Sequence, residues 1–217
     1  MPKILQNVTV KICGLTTVSD VALAAELEAD FFGFIVYPKS PRGLSLSKAT
    51  ELAAIIPHER RVIVDVGTDP EGLARYRDAG FGRFQMHAPL PLNTGILAKW
   101  SATVGRERLW LAPRVAPSDV FPEECLPLAN TILLDTYSAG QIGGTGKTGD
   151  WGRFAEWRQA YPDQQLVLAG GLTPGNIVEA ITATGASHVD VNSGVESAPG
   201  KKDPKKLREL FRILRSS

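Results

Sequence analysis

Eight short runs of β-branched and apolar residues recur along the chain, nearly all separated by a stretch of helical periodicity. The repeat is roughly 22 to 34 residues, long enough for a strand, a helix and their turns. Strands alternating with helices at that spacing pair in parallel, because the helix is the crossover that returns the chain to the same end of the sheet. A parallel sheet of this size either closes or stays open with helices on both faces. The count of eight favours a closed single-domain α/β fold, the (β/α)8 TIM barrel, although 217 residues is near its short end. An open doubly wound sheet is the alternative. No linker, charge block or low-complexity segment cuts the chain, so residues 1–217 read as one domain.

The first run, Val8-Thr-Val-Lys-Ile-Cys13-Gly14, carries a cysteine to its C-terminal tip. Helical spacing follows from Thr17 to Ala29, then the apolar run Phe31 to Tyr37, as expected of a strand covered on both faces. Ser45 or Ser47 caps a helix through Ile56, and Arg61 to Gly67 is the third strand. Asp69-Pro70 opens a helix through Ala79 with an N-cap and a first-turn proline. Arg83 to Ala88 is the fourth strand, followed by a helix from Thr94 to Val104. Leu109 to Val115 is a fifth strand weakened by Pro113. Pro117, Pro122 and Pro127 allow only short helical pieces from Ala116 to Ala129. The last third gives strands at Thr131–Thr136, Gln165–Gly171 and His188–Gly194, with helices at Trp151–Ala160, Thr173–Thr184 and Asp203–Leu214.

A net charge of +1 gives no footing for nucleic acid or an anionic membrane, and no apolar run approaches the roughly 20 residues of a membrane helix. Cys13 and Cys125 allow at most one disulfide, and no secretory leader is visible. A reduced, cytoplasmic protein is expected. No His/Cys cluster has metal-ligand spacing, so no metal is expected.

In a barrel the strand tips converge on one mouth. Here they are Cys13, Tyr37 leading to Arg42, Asp65, His87, Arg114, Asp135, Gly170-Gly171, and Asp190 to Gly194. Ala169-Gly-Gly-Leu-Thr-Pro and Asn192-Ser-Gly-Val-Glu present small residues before a helical start. Backbone N–H groups there can approach an anion, and the region after strands seven and eight is where this fold recurrently holds phosphate. Gly143-Gly-Thr-Gly-Lys147-Thr148 is not a P-loop, because the glycine needed five positions before Gly146 is Gln141. A lid or a backbone contact to ligand suits that loop better.

Cys13 and Asp135 form an asymmetric acid–base pair: a thiolate takes a proton, and a protonated carboxylic acid gives one. An isolated cysteine on a strand is more often inert, and a lone aspartate is more often a cap or a salt-bridge partner. His87 by itself is more often a structural histidine than a catalyst.

Six stretches together resemble the phosphoribosylanthranilate isomerase family. They are Lys11-Ile-Cys13-Gly14, Tyr37-Pro-Lys-Ser-Pro-Arg42, Leu133-Leu-Asp135, Gly143 to Thr148 with Asp150-Trp151, Leu168 to Ile177, and Asp190 to Asp203. The resemblance implies a cofactor-free barrel enzyme of tryptophan biosynthesis that converts a phosphorylated aminoaldose to an aminoketose. It implies Asp135 as general acid, Cys13 as general base, and Arg42 on the anthranilate carboxylate. Gly170, Gly171, Ser193 and Gly194 would hold phosphate, and Asp190 and His87 join the substrate-binding set. The partner is a small phosphorylated molecule, with no nucleic acid and no membrane, and the chain is a monomer or homodimer.

Three departures stand out from the family pattern. Val62-Ile-Val-Asp65 replaces the usual Val-Gly-Val-Phe, Gln85-Met-His87-Ala88 replaces Gln-Leu-His-Gly, and Asn192 replaces a serine. A carboxylate at Asp65 would alter substrate choice if it faced the mouth. Two other readings remain. A related isomerase of a histidine-pathway aminoaldose would carry aspartates where this chain has Cys13 and Arg114, and a barrel that has lost catalysis would only bind phosphate.

Overall fold

The computed structural model describes residues 8–88, 91–116, 119–135 and 150–215. Its strands are β1 (Thr9–Ile12), β2 (Phe31–Ile35), β3 (Arg61–Val66), β4 (Arg83–Ala88), β5 (Leu109–Pro113), β6 (Thr131–Leu134), β7 (Gln165–Ala169) and β8 (His188–Val191). They pair in parallel in chain order, and β1 seals the ring against β8 with Thr9 opposite His188 and Lys11 opposite Asp190. The sheet is therefore the closed barrel and not the open alternative.

The helices are α1 (Val18–Glu26), α2 (Leu46–Ala53), α3 (Pro70–Asp78), α4 (Thr94–Val104), α5 (Trp151–Ala160), α6 (Ile177–Thr184) and α7 (Pro204–Arg215). Side-chain caps set several starts: Thr17, Ser45, Asp69 and Asp150 each accept a backbone N–H of the first turn. Among the described residues the β5–β6 connection holds only a three-residue 3-10 turn, Glu123–Cys125. The prolines there remove N–H donors that a helix would need.

Beyond shifts of two or three residues at several element ends, two segments differ from the sequence expectation. Helix α6 begins at Ile177 instead of Thr173, because Asn176 folds back: its Oδ1 accepts from the Thr173 N–H at 2.7 Å and its Nδ2 donates to the Gly171 carbonyl at 3.0 Å. That side chain makes a turn of Thr173 to Asn176 in place of a first helical turn. An antiparallel ribbon, β9 (Glu196–Ala198) with β10 (Lys201–Lys202), lies between β8 and α7. Strands of three and two residues are too short to carry a readable alternation.

Side chains alternate along each strand between the helix layer and the barrel interior. On β1, Val10 and Ile12 enter the large apolar layer beneath the helices, whereas Cys13 joins an interior cluster with Ile35, Val62 and Val64. A second interior cluster, Trp110, Ala112, Leu133, Val167 and Ala169, fills the opposite side across β5 to β7. The core is thus two layers separated by the strand backbones, and the mouth opens above the inner one. Pro113 is tolerated at the last position of β5, where Arg114 supplies the next ladder N–H, to the Ala88 carbonyl at 2.9 Å.

Candidate active site

The hollow at the C-terminal ends of the strands contains about 710 Å³ of non-protein space, partly open to solvent. Cys13, Arg42, His87 and Asp135 line it, as do Gly170, Gly171, Asp190, Ser193 and Gly194. The nine residues proposed for the site therefore meet in one cavity, whereas the strand tip Arg114 is not among its lining residues. The segment Gly143 to Thr148 lies outside the described residues.

Cys13 and Asp135 reach the mouth for the same reason. Each follows its strand in phase with an inward residue, Lys11 on β1 and Leu133 on β6. Cys13 is 3% exposed. Burial pushes its thiol above the ordinary value, against the pull of the neighbouring Lys11 ammonium.

The two glycine turns touch. A methyl group at Gly194 would sit 1.8 Å from the carbonyl oxygen of Leu172, so only glycine lets the turn after β8 nest against the turn after β7. Backbone amides from two turns are thereby brought to one corner of the cavity, the arrangement that suits a phosphate group.

Arg42 is buried and already half committed. Its Nε donates to Glu196 Oε1 at 2.8 Å and an Nη2 proton goes to Oε2 at 2.6 Å, a bidentate pair. Two of the five guanidinium N–H groups are used, which leaves the outer edge for a second carboxylate. The Glu196 bonds hold Arg42 above its ordinary range. Glu196 also accepts from Lys202 Nζ at 3.1 Å, and Lys202 donates to Asn192 Oδ1 at 3.0 Å. Burial lowers Lys202, and Glu196 opposes that. The β9–β10 ribbon is pinned over the first turn by the Lys202 N–H to Asp20 and by the Thr16 hydroxyl to the Gly200 carbonyl. Sequence reasoning passed over Glu196 and Lys202, since nothing local marks a partner 154 positions from Arg42.

Three other side chains acquire definite states. Asp190 accepts from Lys11 Nζ at 2.9 Å inside the barrel. His87 lies 3.0 Å from Gln85 Nε2 through its own Nε2. Burial and the Lys11 charge push the ring down to about 4, so it is neutral near pH 7. With the amide in this orientation Nε2 is the acceptor and the ring proton resides on Nδ1. Asp65 borders the cavity, but it is tied back toward α3. Its Oδ1 accepts from the Val66 N–H at 2.8 Å and its Oδ2 from the Tyr76 hydroxyl at 2.6 Å. Both oxygens are engaged, so the carboxylate is not extended toward a ligand.

The family model described as N-(5'-phosphoribosyl)anthranilate (PRA) isomerase matches residues 10–212. The chain belongs to the phosphoribosylanthranilate isomerase family. The N-(5'-phosphoribosyl)anthranilate isomerase of Zymomonas mobilis is 34% identical, over 96% of this chain and 99% of that one. That of Aquifex aeolicus is 36% identical over the same shares. Among solved structures, the dimeric Thermotoga maritima enzyme, studied as generated monomers, superposes with a TM-score of 0.77 at 32% identity, covering 97% of this chain and 100% of that one. A phosphoribosyl anthranilate isomerase in complex with reduced 1-(o-carboxyphenylamino)-1-deoxyribulose 5-phosphate superposes at 0.74 with 30% identity, with the same coverage. The barrel fold and the isomerase family of tryptophan biosynthesis, both expected from the sequence, are thus borne out.

Proposed function

We propose that the chain isomerises N-(5-phosphoribosyl)anthranilate to 1-(2-carboxyphenylamino)-1-deoxyribulose 5-phosphate, with Asp135 and Cys13 as the acid and base. What supports the assignment of roles is the convergence of those two side chains with Arg42 and two touching glycine turns in one cavity. The substrate has two anionic ends and a sugar between them. The phosphate sits against the turns at Gly170, Gly171, Ser193 and Gly194, and the anthranilate carboxylate sits on the outer edge of Arg42, a bidentate match. The ribose then lies between the tips of β1 and β6.

Asp135 gives its proton to the furanose ring oxygen, the ring opens, and the anilino nitrogen becomes a Schiff base. That cation acidifies the C2 hydrogen. Cys13, as thiolate, removes it; the electron pair moves into the C1–C2 bond, giving an enolamine that tautomerises to the ketone. Each transfer is general acid–base catalysis, worth typically about 10²–10⁴-fold. His87, neutral and held by Gln85, and Asp190, held by Lys11, border the ribose as polar contacts.

Loss of phosphoribosylanthranilate fluorescence measures turnover. The wild type turns over, Cys13→Ala and Asp135→Asn each fall by about 10²–10⁴-fold with the fold intact by circular dichroism, and Cys13→Ser lies between. Normal turnover in Cys13→Ala or Asp135→Asn would remove that residue from its role. A wild type that is stabilised by phosphate but inert would favour the binding barrel.

A further inference from the structure

Directly beneath Cys13 on the same strand, and facing inward like it, is Lys11. This lysine is 1% exposed and its Nζ donates to Asp190 Oδ1 at 2.9 Å, across the seam where β1 meets β8. A buried ion pair is a poor way to close a barrel. Two apolar side chains of similar volume would serve as well or better, because both ions must leave water. The neighbouring strand shows what else the lysine does. A methyl group at Gly33 would lie 2.9 Å from both the Cα and the Sγ of Cys13 and 3.0 Å from Lys11 Nζ, so the sulfur and the ammonium border the same notch that the missing side chain leaves.

The other charges near the sulfur come from five segments. Asp190 on β8 is bonded to Lys11, Arg42 in the loop after β2 and Lys202 on β10 are both bonded to Glu196 on β9, and Asp135 lines the same cavity after β6. His87 on β4 is neutral near pH 7. Of the cations, Lys11 acts most strongly on the thiol, opposing the rise that burial causes. Its own charge is secure: burial works against it, but Asp190 and the sulfur hold Lys11 above its ordinary range.

We propose that Lys11, anchored by Asp190 and given room by Gly33, is a positioning residue that stabilises the Cys13 thiolate and so sets the pH at which Cys13 acts as a base. The inference rests on Cys13 being the base. Lys11 does not touch the substrate and keeps its proton throughout; the thiol proton leaves to solvent before turnover, and the thiolate then accepts the C2 proton. Gly33 is part of the device, since any side chain there displaces the sulfur, the ammonium or the Cys13 backbone.

The test reads the thiol apart from the reaction. Alkylation of Cys13 by iodoacetamide, followed peptide by peptide in a mass spectrometer across pH, gives the midpoint of thiolate formation. Lys11→Met raises that midpoint by about one pH unit or more, a tenfold loss of thiolate at neutral pH. The acid limb of kcat/KM moves by the same amount. Gly33→Ala shifts both in the same direction. Should Lys11→Met fail to fold with Asp190 left unpaired, Lys11→Met/Asp190→Leu keeps the volume without the charges. It still raises the midpoint, by less, because the opposing effect of Asp190 is gone too. An unchanged midpoint in a folded variant lacking Lys11 overturns the inference. A raised midpoint with an unchanged kcat/KM profile leaves Lys11 in control of the thiol and removes Cys13 as the base.

Discussion

The two sides of the barrel interior are built on opposite principles. Across β5, β6 and β7 the inward side chains are Trp110, Ala112, Leu133, Val167 and Ala169, a dry cluster whose job is volume. Across β8, β1 and β2 the interior holds Lys11, Asp190 and Cys13 beside the apolar Ile35, with Arg42, Glu196 and Lys202 at the rim. The first side stabilises by burial and close packing, at roughly 25 cal/mol for each Å² removed from water. The second must offset the desolvation of several charges by pairing them, and it gains little net stability. The charged half carries the proposed base and the Arg42 edge, whereas the apolar half is a packed wall that holds the proposed acid, Asp135, at the tip of β6.

Single truncations give the two largest expected effects, similar in size and different in kind. Trp110→Ala loses about 3–5 kcal/mol of stability by leaving a cavity. The kcat/KM of the folded fraction stays within a few-fold, because Trp110 lies toward the base of the barrel and away from the mouth. Asp190→Leu loses a similar amount, about 3–5 kcal/mol, by stranding the Lys11 charge, and takes activity with it. Urea unfolding and the fluorescence assay on the same samples separate the two. Loss of activity in Trp110→Ala beyond its loss of folded protein would break the division of labour.

Removing the pair sharpens the comparison further. Lys11→Met/Asp190→Leu should unfold at a urea concentration equal to or above the wild type, a gain of about 0–3 kcal/mol, since well-packed apolar residues replace a buried ion pair at no loss. If the double variant is as unstable as Asp190→Leu alone, the ion pair is structural and the charged half is stabilising in its own right.

Arg42 gives the next effect. Arg42→Ala costs about 1.5–3 kcal/mol in kcat/KM for the carboxylate-bearing substrate, the value of a charge-assisted hydrogen bond. An analogue lacking the carboxylate loses less, and Arg42→Lys restores little because a lysine cannot present two edges, one to Glu196 and one to ligand. Equal penalties on both compounds take Arg42 out of the carboxylate site.

How far the sequence carries this picture differs between the halves. The strand–helix alternation, the caps at Thr17, Ser45 and Asp69, and the tips Cys13 and Asp135 are local patterns, and local patterns survive folding. Asp65, counted among the strand tips, is left open by the sequence; the structure turns it toward the helices because Val62 and Val64 face inward, and the Tyr76 hydroxyl donates to it. Burial and that bond push the Tyr76 hydroxyl up to about 12. What could not be read is pairing at a distance. Arg42 meets Glu196, and Lys11 meets Asp190, only because β1 closes on β8 and the ribbon folds over the mouth. The late start of α6 is a different failure: Asn176 competes with the helix for its own backbone, a choice that spacing alone does not decide.

The last expected effect falls between the two halves, at His87. Its folded value of about 4 lies below the unfolded value, about 6.5 for a free histidine. The unfolded chain then binds the extra proton over that interval, so ∂ΔG/∂pH is positive there. The His87 contribution is present in full above about pH 6.5 and is lost as pH falls toward 4. His87→Asn should flatten this part of the stability profile, read as urea midpoints at half-unit steps, while the carboxylate-driven fall below pH 4 persists. An identical profile in the variant would mean that the ring takes up its proton in the folded barrel as readily as in water. Lys11 would then exert no measurable charge at His87, and the claim that its ammonium governs the neighbouring thiol would be weakened by the same measurement.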